Sequence, residues 1–167
     1  MNPCRCGMAG EPGHRCARGP RCQSDYQARI SGPLLDRIDL RIDVPAVSAS
    51  DLIAPGRAEK SETVRTRVAA ARRLQAERYA ALGISSATTN AHCSAGLIES
   101  VAAPDAAGAA LLRDASEKLN LSARAYHRVL KVARTLADLD GAETVARIHL
   151  AEAISYRMAG ERLAAAA

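Results

Sequence analysis

Four cysteines crowd one end of the chain: Cys4 and Cys6, then Cys16, then Cys22, four thiols within nineteen residues. Thiolates are soft ligands, and four of them on short loops can close a tetrahedron around zinc without a large core beneath. His14 lies in the same stretch and could replace one of the four. The spacing is not the paired Cys-x-x-Cys of common zinc modules, so free cysteines in an irregular tail are the competing reading. Catalytic thiol chemistry has little support, because no Cys–His pairing follows from the spacing. Cys93 stands apart and reads as a small buried residue.

A second set of residues is cationic. Over residues 122–139, Tyr126, Val129, Leu130, Ala133, Leu136 and Ala137 fall on one face of a helix, and Arg124, His127, Arg128, Lys131 and Arg134 fall largely on the other. Arg124 sits in the first turn, where free backbone amides also favour anions, so phosphate contact and a solvated basic face are both open readings. Arg37, within Leu34-Leu35-Asp36-Arg37-Ile38-Asp39-Leu40, reads on its own as the salt-bridge partner of Asp36 or Asp39. Residues 61–82 carry Arg65, Arg67, Arg72, Arg73 and Arg78 against Glu62 and Glu77, a surface able to meet phosphates. No aromatic side chains interleave with them, so base stacking is not supported.

The elements that must position these groups are mostly helical. The 167 residues allow one medium domain or two small ones; 48% are hydrophobic and 25% charged, with no Phe, no Trp and four Tyr. A core restricted to Ala, Leu, Val and Ile suits close-packed helices. The net charge of +5 fits nucleic-acid or nucleotide partners without requiring them. No apolar run reaches the roughly 20 residues of a membrane span. The longest, 101–112, is broken by Pro104, Asp105 and Gly108. The N-terminus has no apolar signal region, so a cytoplasmic location with no membrane partner is expected, and reduced cysteines with it.

Along the chain, residues 1–25 have no periodicity. Residues 26–36 could form a helix broken at Gly32-Pro33. From Asp39 to Val47, Leu40, Ile42 and Val44 alternate with Asp39, Arg41 and Asp43, which predicts a strand ended near Pro45. Helices are expected over 61–82 with Gly83 as stop, 105–119 after Pro104, 122–139 from the N-cap Ser122, and 147–158. Residues 84–103 are ambiguous, with a helical turn or two near 97–101.

Specific strings then point to a family. Met1-Asn2-Pro3-Cys4-Arg5-Cys6-Gly7 and Tyr26-Gln27-Ala28-Arg29-Ile30-Ser31-Gly32-Pro33-Leu34-Leu35-Asp36-Arg37-Ile38-Asp39-Leu40 closely resemble the magnesium-chelatase-like AAA+ family. Leu121-Ser122-Ala123-Arg124-Ala125-Tyr126-His127-Arg128-Val129-Leu130-Lys131-Val132-Ala133-Arg134-Thr135 resembles its C-terminal lid, as does His149-Leu150-Ala151-Glu152-Ala153. The resemblance implies a mainly α chain. Residues 1–50 would end an AAA+ α/β core with a cysteine loop, a short helix and one strand; 51–60 would be a linker, 61–160 the helical lid and 161–167 a disordered tail. Members look like hexameric ATPases, and one branch acts in DNA branch migration during natural transformation. The implied cofactors are ATP and Mg2+, and the implied partners are DNA and the neighbouring subunits of a homo-hexamer. Position by position, Asn2 matches the sensor-1 asparagine that orients the attacking water. Arg37 matches the arginine finger that reaches a neighbour's nucleotide. Arg124 matches the sensor-2 arginine that contacts the γ-phosphate in its own subunit. Many relatives carry the third and fourth cysteines as Cys-x-Cys, unlike Cys16 and Cys22 here, so zinc is inferred from the residues and not carried over.

The chain has no Gly-x-x-x-x-Gly-Lys-[Ser/Thr], no apolar strand ending in Asp-Glu, no Gly-x-Ser-x-Gly and no His-Glu-x-x-His. The reading is therefore the C-terminal part of such an ATPase, cut off from its ATP-binding half. A zinc-dependent nucleic-acid-binding module without ATP chemistry is the alternative. On the first reading the sheet that would bury Leu40, Ile42 and Val44 is missing, so residues 1–50 should be marginal by themselves. The purified chain should not hydrolyse ATP above background, because groups that cradle phosphates and hold magnesium are absent from it. Steady turnover in a phosphate-release assay would contradict this.

Overall fold

The computed structural model describes residues 2, 4–7, 16–19, 21–44, 47, 52–53 and 58–158. Its helices are α1 (Cys22–Gln27), α2 (Gly32–Leu35), α3 (Ser61–Ala81), α4 (Ala95–Val101), α5 (Ala106–Lys118), α6 (Ala123–Leu139) and α7 (Arg147–Met158), with a 3-10 turn at Asn90–His92. Several starts are set by side chains that take up free amides. The Ser94 hydroxyl accepts from the Leu97 amide, Asp105 from Gly108 at 2.6 Å, and Ser122 from Ala125 at 3.2 Å. Before α7 a histidine does this work: Nδ1 of His149 accepts from the Ala146 amide at 3.0 Å, and Nε2 faces Asp140 at 3.2 Å. No helix of the described residues is long and apolar enough to cross a membrane.

α6 is the central element, packed against α3, the 3-10 turn, α4 and α7, while α5 closes against α7. The core between them is aliphatic, with Ile98, Leu112, Val129, Leu130, Val145 and Leu150 around the ring of Tyr79. The chain has no Phe or Trp, and the largest fully buried side chain is an arginine, Arg134.

Arg134 departs from the sequence reading, which put it on the polar face of α6. Its stem fills core volume, and its head lies in a buried polar knot. Nε donates to Asp138 at 3.0 Å, and Nη1 and Nη2 donate to the carbonyls of Glu143 and Ala142 at 2.7 and 2.6 Å. Arg78 is likewise withdrawn from the expected phosphate-meeting face, because both its terminal nitrogens reach the Asp138 carboxylate. Asn90 donates to Asp138 and Thr135, each at 2.9 Å, and accepts from the Tyr79 hydroxyl at 2.5 Å. The Cys93 thiol donates to that hydroxyl at 2.9 Å, so Cys93 is the small buried residue expected. Burial opposes the Asp138 charge, but Arg78, Asn90 and Arg134 outweigh it and hold the carboxyl below its ordinary range.

Two expectations near the N-terminal end change. Residues 26–36 do not form one interrupted helix. α1 ends at Gln27, and Gly32-Pro33 opens α2, where a proline without an N–H fits a first turn. The strand predicted from Asp39 to Val47 is not formed: residues 40–44 carry no regular structure, and Pro45 and Ala46 lie outside the described residues. The alternating pattern is real, but a strand exists only against a partner, and the described residues contain just one isolated bridge, Pro104 to Val145. Leu40, Ile42 and Val44 are accordingly exposed. On α3 the buried positions are Ala71, Gln75 and Tyr79, whereas Val68 and Leu74 are exposed. The frayed tail expected at 161–167 lies outside the described residues.

Asp138→Ala should cost about 3–5 kcal/mol in denaturant unfolding, since it leaves two partly or fully buried guanidinium groups uncompensated. Because the folded-state pKa of Asp138 is depressed, its contribution is complete above the unfolded value of about 3.9 and is lost as pH falls below it. The variant should therefore lose less stability than the wild type between about pH 4 and 2.

Candidate functional site

The thiol cluster is built by two turns of one form. In Cys4-Arg5-Cys6-Gly7 the Gly7 amide donates to the Cys4 carbonyl at 3.1 Å, and in Cys16-Ala17-Arg18-Gly19 the Gly19 amide donates to the Cys16 carbonyl at 3.1 Å. Each turn closes on a glycine at positive φ, 80° for Gly7 and 88° for Gly19, a conformation that disfavours a side chain. Gly19 then accepts from the amide of Cys22, the first residue of α1. The sulfurs of Cys4, Cys16 and Cys22 lie within 4.8 Å of one another, and Cys6 Sγ is 2.8 Å from Cys4 Sγ and 3.3 Å from Cys16 Sγ. Three of the four predicted ligands, Cys4, Cys16 and Cys22, thus form one cluster, and Cys6 adjoins it on the side of Cys4 and Cys16, with Cys4 and Cys22 buried. A tetrahedron of sulfurs around zinc at about 2.3 Å has edges of about 3.8 Å, the scale of the spacing among Cys4, Cys16 and Cys22, whereas Cys6 would have to move away from Cys4 and toward Cys22 to complete it. His14, the substitute ligand, lies outside the described residues.

The crowding has an acid–base consequence. The Arg18 backbone amide favours the Cys16 thiolate, but the side chains of Cys6 and Cys22 and partial burial outweigh it and push the thiol up to about 11. A cation among the sulfurs would reverse that balance. Asn2 is exposed beside this loop, with its side-chain nitrogen 3.7 Å from where a Cβ on Gly7 would stand.

Arg37 lies two residues past α2 and is exposed; neither Asp36 nor Asp39 pairs with it. Both acids are taken by residues far along the chain. Asp36 accepts from the Ser122 hydroxyl at 2.9 Å and from Nη2 of Arg157 at 2.8 Å, and Asp39 pairs with Arg128. Arg41 adds three bonds: its amide to the Tyr156 carbonyl at 3.0 Å, Nη1 to the Arg157 carbonyl at 3.3 Å, and Nη2 to the Leu35 carbonyl at 3.1 Å. The segment bearing Arg37 is therefore tied to the start of α6 and the end of α7. Arg124 stands at that start of α6, two residues after Ser122, exposed and with no ion pair among the described residues.

Arg124 lines an open groove of about 670 Å³ with Leu40, Ile42, Arg128, Lys131, Val132 and Leu136. The other basic side chains of the groove have partners: His127 with Glu99 at 2.8 Å, Arg128 with Asp39, and Lys131 with the Ala91 carbonyl at 2.9 Å. Arg37 does not line it. Sequence reasoning missed Asp36, Arg41 and Arg157. The two acids were visible, but their sequence neighbour Arg37 was the obvious partner, and no local signal marks a residue more than a hundred positions away. On α3, Arg67 pairs with Glu59 and Arg73 with Glu77, leaving Arg65 and Arg72 exposed without ion pairs among the described residues.

Comparison with known proteins adds the following. Residues 58–157 match the family described as magnesium chelatase, subunit ChlI C-terminal, and residues 1–52 match magnesium chelatase, subunit ChlI. The chain is 43% identical over 133 residues to the competence protein ComM of Haemophilus influenzae, covering 79% of the chain and 25% of that protein. It is 38% identical over 160 residues to the uncharacterized protein YifB of Escherichia coli, covering 94% and 29%. With the uncharacterized protein Mb2921c of Mycobacterium bovis it shares 37% over 161 residues, covering 96% and 31%. The chain spans a quarter to a third of the length of these curated relatives.

In the metal-free chain, alkylation of Cys16 followed by mass spectrometry should stay slow through about pH 9 and rise toward pH 11, because the thiolate is the nucleophile. Full reaction at pH 8 would contradict the crowded arrangement.

Proposed function

Because this chain belongs to the magnesium chelatase ChlI family, we propose that it forms the C-terminal portion of an ATP-hydrolysing assembly in which Arg37 reaches the nucleotide of a neighbouring subunit and Arg124 meets the phosphates held by its own. The observation that supports this best is the pair itself. Both arginines are exposed without an ion pair among the described residues, and Asp36 fastens the segment of one to the helix start of the other. A guanidinium stays charged at any working pH and presents a planar fork to phosphate oxygens. From a neighbour, that charge offsets the negative charge that spreads over the γ-phosphoryl oxygens as the bond to the leaving group loosens. Arg124 at an N-terminal turn adds backbone amides of the same sign. Asn2 would hold the attacking water by hydrogen bonding. Bound ATP and Mg2+ would supply the transferable phosphoryl group and its countercharge.

DNA is the proposed partner, driven by hydrolysis in a homo-hexamer. The resemblance seen in the cysteine-bearing loop supports DNA over a porphyrin, and exposed Arg65 and Arg72 on α3 offer phosphate contacts. Cys4, Cys6, Cys16 and Cys22 would hold one zinc ion as a local staple, in keeping with a soft all-thiol donor set.

Two experiments test these readings. In a protein joining this chain to the family's ATP-binding segment, Arg37→Ala should lower kcat by about 10³-fold or more, with ATP affinity nearly unchanged. Turnover within a few-fold of wild type would overturn the role. For zinc, the purified chain should carry about one ion per molecule, reduced by Cys4→Ser or Cys22→Ser, and metal uptake should release protons. Chelation should leave the helical circular dichroism of 61–158 intact. If chelation instead abolishes a salt-sensitive DNA binding by the chain alone, the zinc-dependent nucleic-acid module is the better account.

A further inference from the structure

We infer that Asp36 is a positioning residue that makes the placement of Arg37 follow the helical lid of its own subunit, so that nucleotide at Arg124 is sensed by the arginine presented to the neighbour. The inference rests on the reading of Arg37 and Arg124 given above.

The segment bearing Arg37 has little to hold it locally. α2 is four residues long, too short to be stable alone, and residues 38–44 have no strand partner among the described residues. Its place is set by side-chain ties, and they converge on two spots. One is the start of α6, through the Ser122 hydroxyl on Asp36 and the pairing of Arg128 with Asp39. The other is the end of α7, through Arg157 on Asp36 and the bonds from Arg41 to the Tyr156 and Arg157 carbonyls. Asp36 is the one acid that joins both spots, with one oxygen on each.

The Arg157 end is not a loose surface pair. Arg157 is 7% exposed, and as a cation in the last turn of α7 it also suits that helix terminus. Removing its partner would leave a buried charge with a second nitrogen, Nη1, that already has no bond among the described residues. α6 and α7 pack against each other, which fixes one anchor point relative to the other. A phosphate that draws Arg124 acts on the same first turn of α6 whose cap, Ser122, is bonded to Asp36. Arg37 is the next residue after Asp36. The path from a subunit's own nucleotide to the neighbour's therefore runs Arg124, Ser122, Asp36, Arg37, with the lid core as the rigid body between.

The test uses the assembled protein that joins this chain to the family's ATP-binding segment, with Arg37→Ala measured beside each variant. Asp36→Ala should lower kcat by about 10- to 100-fold, the scale of a misplacement near 1 Å, with the KM for ATP changed much less. Asp36→Asn, which keeps an acceptor for Ser122 but loses the charge facing Arg157, should fall between. The exchange Asp36→Arg with Arg157→Asp should recover turnover over either single variant, which a general loss of stability would not do. Amide exchange over residues 36–41 of the chain itself should quicken in Asp36→Ala while the α6 core amides stay protected. If Arg37→Ala leaves turnover intact, the reading of Arg37 fails. If Arg37→Ala abolishes turnover and Asp36→Ala leaves kcat intact, the reading of Arg37 stands and the positioning role is overturned.

Discussion

One carboxylate organises the helical part of this protein. Asp138 is fully buried on α6, and it is met by Arg78 from α3, by Asn90 from the 3-10 turn and by Arg134 one turn back on its own helix. Arg134 carries the connection onward to the carbonyls of residues 142 and 143, which lead into α7. A buried ion cluster is not a strong source of net stability, since desolvation offsets most of the attraction. Its geometry is what matters. In a core of small aliphatic side chains many packings have similar energy, whereas the hydrogen bonds around Asp138 admit one arrangement of α3, the 3-10 turn, α6 and the loop before α7.

The same economy recurs at the other end of the chain. Among the described residues no sheet holds the segment after α2, so its position depends on Asp36, Asp39 and Arg41 reaching α6 and the end of α7. Those helix ends belong to α6 and α7, which pack against each other in the aliphatic core. The thiol loop is separate in construction: two Cys-x-x-Gly turns and the start of α1 gather the sulfurs of Cys4, Cys16 and Cys22, with Cys6 beside Cys4, by local backbone geometry.

Much of this was open to inspection in one dimension. The start of α6 is legible because Ser122 acts on an amide three residues away, a local interaction that residue type announces; Ser94 and Asp105 cap in the same way, although in sequence 84–103 is ambiguous and the 105–119 start is marked by Pro104. The Cys-x-x-Gly turns are also legible in sequence, since a glycine at the fourth position of a turn is favoured there. The strand at 39–47 was read from a true alternation and does not form, because pairing is supplied by another strand and not by the segment itself.

Sequence by itself determined the helical class, the positions of the principal helices, the gathering of cysteines at one end and the resemblance that singles out Arg37 and Arg124. These follow from periodicity, capping and short strings, all of which act within a few residues. Only the tertiary structure decided which arginines are free. Arg78 and Arg134 read as surface cations but both bond the buried Asp138, while Arg37 reads as paired and is exposed because Asp36 and Asp39 are claimed by Arg157 and Arg128. The physical reason is range: a carboxylate bonds whichever cation folding brings within about 3 Å, and that partner can lie a hundred residues away.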